Sequence, residues 1–215
     1  MIKAVLFDLD GTLVHTKLAG VFAIVRTILR KLNCPDVSDE IIKKLWFGPY
    51  RSATLKNDMH IDPKQFWEVY DDVHTAALTS ENAVLYDDVI IIKNLRAQGL
   101  KLAIVSGARP SVAEREINML GKENVDCVVL AQPAHGSHPK PDPHCINLCL
   151  EKLNIKPEHA VYVGNADEDI LTARNAGIIS IIIDRNECPI ELKPTILIKS
   201  LHELPDIISR LNEEK

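Results

Sequence analysis

Beyond residue 84 one pattern repeats: a short, mostly apolar run followed by a stretch long enough for a helix. The runs are LKLAIV at 100–105, VDCVVL at 125–130, AVYV at 160–163, IISIII at 178–183 and TILI at 195–198. Helical stretches 110–120, 142–153 and 167–176 lie between them, and 87–98 precedes the first. A strand with one wet face alternates apolar and polar residues, whereas a strand covered on both faces is apolar nearly throughout. Parallel neighbours in turn need a crossover long enough to hold a helix. The pattern predicts an α/β fold, a doubly wound parallel sheet with helices on both faces. Residues 2–8 read as its first strand, and a last helix follows TILI.

Between that first strand and the rest, Leu18, Val21, Phe22, Val25, Leu29 and Leu32 recur at helical spacing. Further helical pattern covers Ile41 to Phe47 and runs from Pro63 to Leu78. About 70 residues is too long for an ordinary crossover. The reading is an inserted all-helical cap domain at 15–83, carried by a core of 1–14 and 84–215 and expected to close over it. Trp46, Phe47, Phe66, Trp67 and Tyr70 are assigned to the cap's own core and its seam to the main domain.

The 215 residues are 46% hydrophobic and 26% charged, enough to bury a sizeable core. A formal net charge of -5 supplies no basic face for a polyanion, which argues against nucleic acid or an anionic membrane as partner. With no long apolar span and no signal-peptide pattern, the chain is expected to be cytoplasmic, as a monomer or homodimer. Its five cysteines are odd in number and never spaced Cys-x-x-Cys, which suits reduced thiols. His135, His138, His144, Cys145 and Cys149 resemble metal ligands at first glance. Cys145 and Cys149, four apart beside Ile146 and Leu148 on one helix, read better as packing.

In an open parallel sheet, ligands bind beyond the carboxyl ends of the strands. The unusual residues fall there: Asp8 and Asp10 after the first strand, Ser106 after LAIV, Lys140 in the loop after CVVLA, and GNADED at 164–169. Side chains two apart on an extended segment point the same way, so Asp8 and Asp10 are expected to face one crevice. Two carboxylates brought together call for a cation, and oxygen donors of this kind suit Mg2+ sharing a substrate phosphate. Gly11 allows close backbone approach, and Thr12 and Ser106 add hydroxyl donors. Arg51 and Arg109 are candidates for holding a substrate carboxylate.

These residues resemble the four motifs of the haloacid dehalogenase superfamily, in its phosphatase branch with a helical cap. DLDGT at 8–12, the serine of IVSG, the lysine of KPDP at 140–143 and GNADED at 164–169 occur in that order, and the resemblance covers nearly the whole chain. It implies that Asp8 is a nucleophile forming an aspartyl-phosphate, and that Asp10 protonates the leaving oxygen and then activates water. Ser106, Gly107 and Lys140 would hold the phosphoryl oxygens, with Gly11 and Thr12 beside them. Asp8, Asp10, Asn165 and Asp169 would bind Mg2+. A carboxylate at position 10 points away from dehalogenation, because expelling halide needs no proton.

The implied substrate is a small phosphorylated metabolite of the phosphoglycolate kind. The alternatives are a sugar-phosphate phosphomutase and a catalytically weakened phosphate-binding module. The second is motivated by Asn165, where the superfamily usually has Asp. A unit charge at ~4 Å from an ion is worth at most about 4 kcal/mol at an effective dielectric of ~20.

Overall fold

The computed structural model describes residues 1–48, 50–78 and 82–213. Residues 49 and 79–81 of the expected helical insert and 214–215 of the expected core lie outside the described residues. The chain divides into two compact units, Met1–Val14 with Leu85–Lys215, and His15–Val84.

The chain opens on β1 (Ala4–Phe7) and leaves the first unit through β2 (Val14–Thr16). In the second unit α1 (Leu18–Lys31), α2 (Asp39–Phe47), the single turn α3 (Arg51–Ala53) and α4 (Pro63–Leu78) follow, and β3 (Ala83–Leu85) leads back. The helix starts carry their local signals. Ser38 accepts from the Ile41 N–H ahead of Asp39 and Glu40. Asp62 accepts from the N–H groups of Lys64 and Gln65, with Pro63 at the first helical position. The apolar stripe of α1 (Val21, Ile24, Val25, Ile28, Leu29) packs with Ile42, Leu45, Leu55 and Phe66 into a core of the unit's own. Trp67 and Tyr70 meet edge to face at 5.2 Å on its margin. The unit is not purely helical: β2 and β3 pair into a two-stranded sheet. Three-residue strands whose partners lie about 70 positions apart leave no periodic trace in sequence.

The first unit resumes with α5 (Ile91–Ala97), β4 (Lys101–Ser106), α6 (Pro110–Leu120), β5 (Cys127–Leu130), α7 (His144–Leu153), β6 (Ala160–Gly164) and α8 (Asp167–Asn175). It ends in β7 (Ile179–Ile183), β8 (Ile196–Ile198) and α9 (Leu204–Glu213). Residues 87–90, predicted as the start of a helix, form a 3-10 turn ahead of α5. Among the described residues six strands form one parallel sheet in the order β5-β4-β1-β6-β7-β8. Alternate side chains cover its two faces. Ala4, Leu6, Ala103, Val105, Ala160 and Tyr162 pack against Cys145, Ile146, Cys149 and Leu150 of α7 and Ala173 of α8. Val5, Phe7, Leu102, Ile104, Val161 and Val163, pointing the other way, are equally buried. This two-sided cover is why the inner strands read as largely apolar runs, while the edge strands β5 and β8 leave Val128 and Leu197 exposed.

Where the chain leaves and rejoins this unit, its ends are tied together. The Tyr86 N–H donates to the Leu13 carbonyl at 3.1 Å. Arg185, beyond β7, donates to both oxygens of Asp88 at 2.9 Å and to the Thr12 carbonyl at 2.8 Å. Its guanidinium lies 3.8 Å from the centre of the Tyr86 ring. Burial opposes ionisation of Asp88, but the bonds from Arg185 and the Leu201 N–H hold its carboxyl below the usual range.

Candidate active site

Register brings the strand ends to one level. Phe7 pairs with Ile104 on one side and with Val163 on the other, so Asp8 follows β1 where β4 ends in Ser106 and β6 in Gly164. The Asp8 N–H still bonds the Val163 carbonyl at 2.8 Å, which fixes this residue to the central strands.

Lys140, from the loop before α7, is the hub. Its Nζ donates to Asp8 Oδ1 and Asp169 Oδ1, each at 2.7 Å, and to the Tyr162 hydroxyl at 3.1 Å, which uses all three of its donors. The side chains of Lys140, Asp8 and Asp169 are 5%, 8% and 1% exposed, so these ion pairs lie out of water. Burial works against the charge on Lys140, and Asp169 and Asp8 more than offset it, raising its pKa. Burial pushes Asp8 up to about 7, with Lys140 opposing and Asp169 adding to the rise.

Asp169 has both oxygens engaged. Oδ1 lies against Lys140 and 3.1 Å from the Tyr162 hydroxyl, while Oδ2 accepts from the backbone N–H groups of Asn165 and Ala166 at 3.0 and 3.1 Å. It thereby caps the start of α8, and Gly164 makes room for it, because a Cβ there would lie 2.4 Å from its Cγ. Here all four of these contacts of Asp169 are to donors of the chain itself.

Asp10 sits in an isolated bridge to Val14. β1 ends at Phe7, and the chain then turns around the Leu9 carbonyl, which accepts from the N–H groups of Thr12, Leu13 and Val14. Asp8 is consequently buried and Asp10 exposed. Gly11 has φ +76, and a Cβ there would come within 2.2 Å of Asn165 Nδ2. The missing Cβ gives Asn165 room. Thr12 is fully buried with its hydroxyl 3.4 Å from Asn165 Oδ1.

Ser106 is buried, and its Oγ accepts from the Ala108 N–H at 3.0 Å, a turn bond that leaves its hydrogen available to donate. Gln132 holds the same turn by donating to the Gly107 and Ala108 carbonyls at 2.8 and 2.9 Å. Gly107 and Arg109 are exposed beside it, Arg109 at the head of α6. Arg51 belongs to the second unit, exposed on α3.

Sequence reasoning missed Tyr162, Gln132 and Glu116. Tyr162 was detectable as the one phenol in an aliphatic strand, since a buried hydroxyl needs a partner. Glu116, on the inward side of α6, is 1% exposed with a buried Oε2 that lacks a hydrogen-bond partner. Burial, with Asp10 and Asp8 adding to it, raises its carboxyl to about 10, so it is neutral at pH 7.

The donor set fits a hard divalent cation. One ammonium serves two buried carboxylates, Asp8 resists ionisation for want of further positive charge, and the remaining groups are oxygen donors. Asp8, the Asp10 carbonyl and the Asn165 amide oxygen are the groups able to hold it. Among the described residues no helix is long and apolar enough to cross a membrane.

The family model for haloacid dehalogenase-like hydrolases matches residues 5–183. Pyrophosphatase PpaX of Bacillus cereus strain Q1 is 28% identical over 224 residues, covering 98% of each chain. Among solved structures, a "predicted phosphoglycolate phosphatase" from Haemophilus somnus superposes with a TM-score of 0.78 at 21% identity over 96% of this chain and 98% of its own. The β-phosphoglucomutase of Clostridium difficile superposes at 0.73 and 18% identity, covering 100% and 99%. At those identities the structures speak for the fold, while the family match spans Asp8, Ser106, Lys140 and Asn165. The chain belongs to the haloacid dehalogenase-like hydrolases.

Proposed function

We propose that the chain is a Mg2+-dependent phosphatase acting on a small phosphorylated metabolite of the phosphoglycolate kind. The observation that carries this reading is the buried Lys140 ammonium joined to Asp8 and Asp169 beyond the carboxyl ends of the strands. An Asp8 oxygen attacks phosphorus in line, the bond to the leaving oxygen breaks, and an aspartyl-phosphate results. Asp10, exposed and unconstrained by burial, gives its proton to the leaving oxygen and takes one back from the water that cleaves the intermediate. The Ser106 hydroxyl, the Gly107 N–H and Lys140 hold the phosphoryl oxygens. Asp169 and Tyr162 hold Lys140. Bound Mg2+ offsets the charge of the phosphoryl oxygens, with Asp8, the Asp10 carbonyl and Asn165 holding it.

Inorganic pyrophosphate is a second reading, favoured by the relatives named PpaX, which align over nearly the whole chain. Phosphate release from p-nitrophenyl phosphate, phosphoglycolate and pyrophosphate tests both, with Mg2+ and with chelator. Release only with Mg2+, absent in Asp8→Asn, is expected. No release by wild type from any of the three would overturn the phosphatase reading, and release only from a recycled sugar bisphosphate would favour the mutase.

Asn165→Asp restores a negative charge to the proposed cation site. Its Mg2+ dissociation constant, read by calorimetry, is expected to fall at least about tenfold, a share of the Coulomb limit given above. An unchanged constant would remove Asn165 from the ion's ligands.

A further inference from the structure

Away from the strand ends, two thiols meet where α7 packs on the sheet. Cys127 is the first residue of β5, which is paired on one side only, with Ala103 of β4 opposite. It is half-buried and packs against the cluster formed by Cys145, Ile146, Cys149 and Leu150. Cys149 is fully buried within that cluster. Both are free thiols. Cys145, one turn earlier on α7, is engaged elsewhere, its S–H on the Asp142 carbonyl at 3.6 Å.

We propose that Cys127 and Cys149 are a redox-active dithiol that a peroxide closes to an intramolecular disulfide. The Cys127 thiolate attacks one peroxide oxygen, the O–O bond breaks, and hydroxide leaves and takes up a proton. Cys149 then attacks the resulting sulfenic sulfur. The S–S bond forms as the S–O bond breaks, and water departs with the Cys149 proton. Two thiols lose two electrons, and one peroxide becomes two waters.

The two residues are suited to different parts in this. Cys127 is reachable from solvent, as an attacking thiol must be, and the buried Cys149 is the resolving partner beside it. The neighbouring Cys149 thiol lowers Cys127 to about 7; partial burial opposes this, and Lys152 on α7 assists. Asp126 pushes the other way, but its carboxylate is engaged by Arg96 of α5 at 2.9 Å, Lys101 of β4 at 3.4 Å and the Leu102 N–H at 2.9 Å. Cys149 rises correspondingly, through its contact with Cys127 and its burial.

The test uses the intact wild-type chain, treated with hydrogen peroxide at pH 7.5, quenched with an alkylating agent and mapped by peptide mass spectrometry. Loss of two hydrogens, a Cys127–Cys149 cross-linked peptide, and its disappearance with dithiothreitol are the expected results. In Cys149→Ala, Cys127 is expected to accumulate as a sulfenic acid that dimedone traps. Its alkylation rate should also rise with pH near the ordinary thiol value of 9.0 instead of about 7. At pH 7 wild-type Cys127 should then react about fivefold faster than in that variant, since about fiftyfold more thiolate outweighs about eightfold lower nucleophilicity. Fully alkylated Cys127 after peroxide, or a cross-link joining any other pair, would overturn the proposal. Wild-type mapping decides this even if the variant fails to fold, and neither outcome touches the phosphatase reading.

Discussion

Asp8→Asn is expected to resist urea better than the wild-type chain at pH 8 without divalent cation, by about 2–4 kcal/mol, while releasing no phosphate. The wild-type carboxyl is pushed from 3.8 to about 7, chiefly by burial. That difference corresponds to roughly 4 kcal/mol between its two protonation states. A raised carboxyl contributes stability that is complete below its unfolded value and lost as pH climbs through its folded value. The wild type should therefore weaken between about pH 4 and 8. The amide stands in for the neutral acid, keeps an oxygen for Lys140, and leaves that ammonium in a one-to-one pair with Asp169. The gap between the two proteins should widen over this window and close below it. An Asn variant no more stable at pH 8 would show that Asp8 carries no such strain. The result would place Asp8, the proposed nucleophile, among residues kept for reactivity at the expense of stability.

Lys140→Met should act in the opposite direction, losing about 3–5 kcal/mol at pH 8 by the same urea measurement. Two carboxylates, 8% and 1% exposed, would face each other without their shared cation. Both would then favour the protonated form, so the folded variant binds more protons than the unfolded chain and recovers stability as pH falls toward 5. A double variant with Asp8→Asn should lose less than the two single effects predict, because the repulsion needs both acids. Strict additivity, or a loss independent of pH, would mean that Lys140 stabilises through its aliphatic stem alone.

The sheet was legible because its inner strands are covered on both faces, which writes an apolar run into the sequence, as at 100–105 and 178–183. Asp8, Ser106, Lys140 and Asn165 were legible because parallel topology delivers strand ends to one place. What each side chain does there was less legible. Whether Asp169 offers an oxygen to an ion or spends both on α8 and Lys140 depends on distances set by packing between residues about 30 positions apart. Alternation says less at Asp10, because β1 ends at Phe7 and the chain turns about the Leu9 carbonyl. Tyr162 looked like one more core residue until its hydroxyl met Lys140 and the Val105 carbonyl.

The grip of Arg185 on Asp88 and on the Thr12 carbonyl, with Tyr86 bonded to Leu13, means that the parent sheet closes on itself before the inserted stretch begins. To the sheet, seventy-odd residues are then equivalent to a long surface loop, whose closure entropy grows only logarithmically with length. Exchanging that stretch for another of different size or lining alters the ring-closure term by a fraction of a kilocalorie. The hydrolytic apparatus can thus stay constant while evolution grafts new specificity modules onto the same pair of anchored stumps.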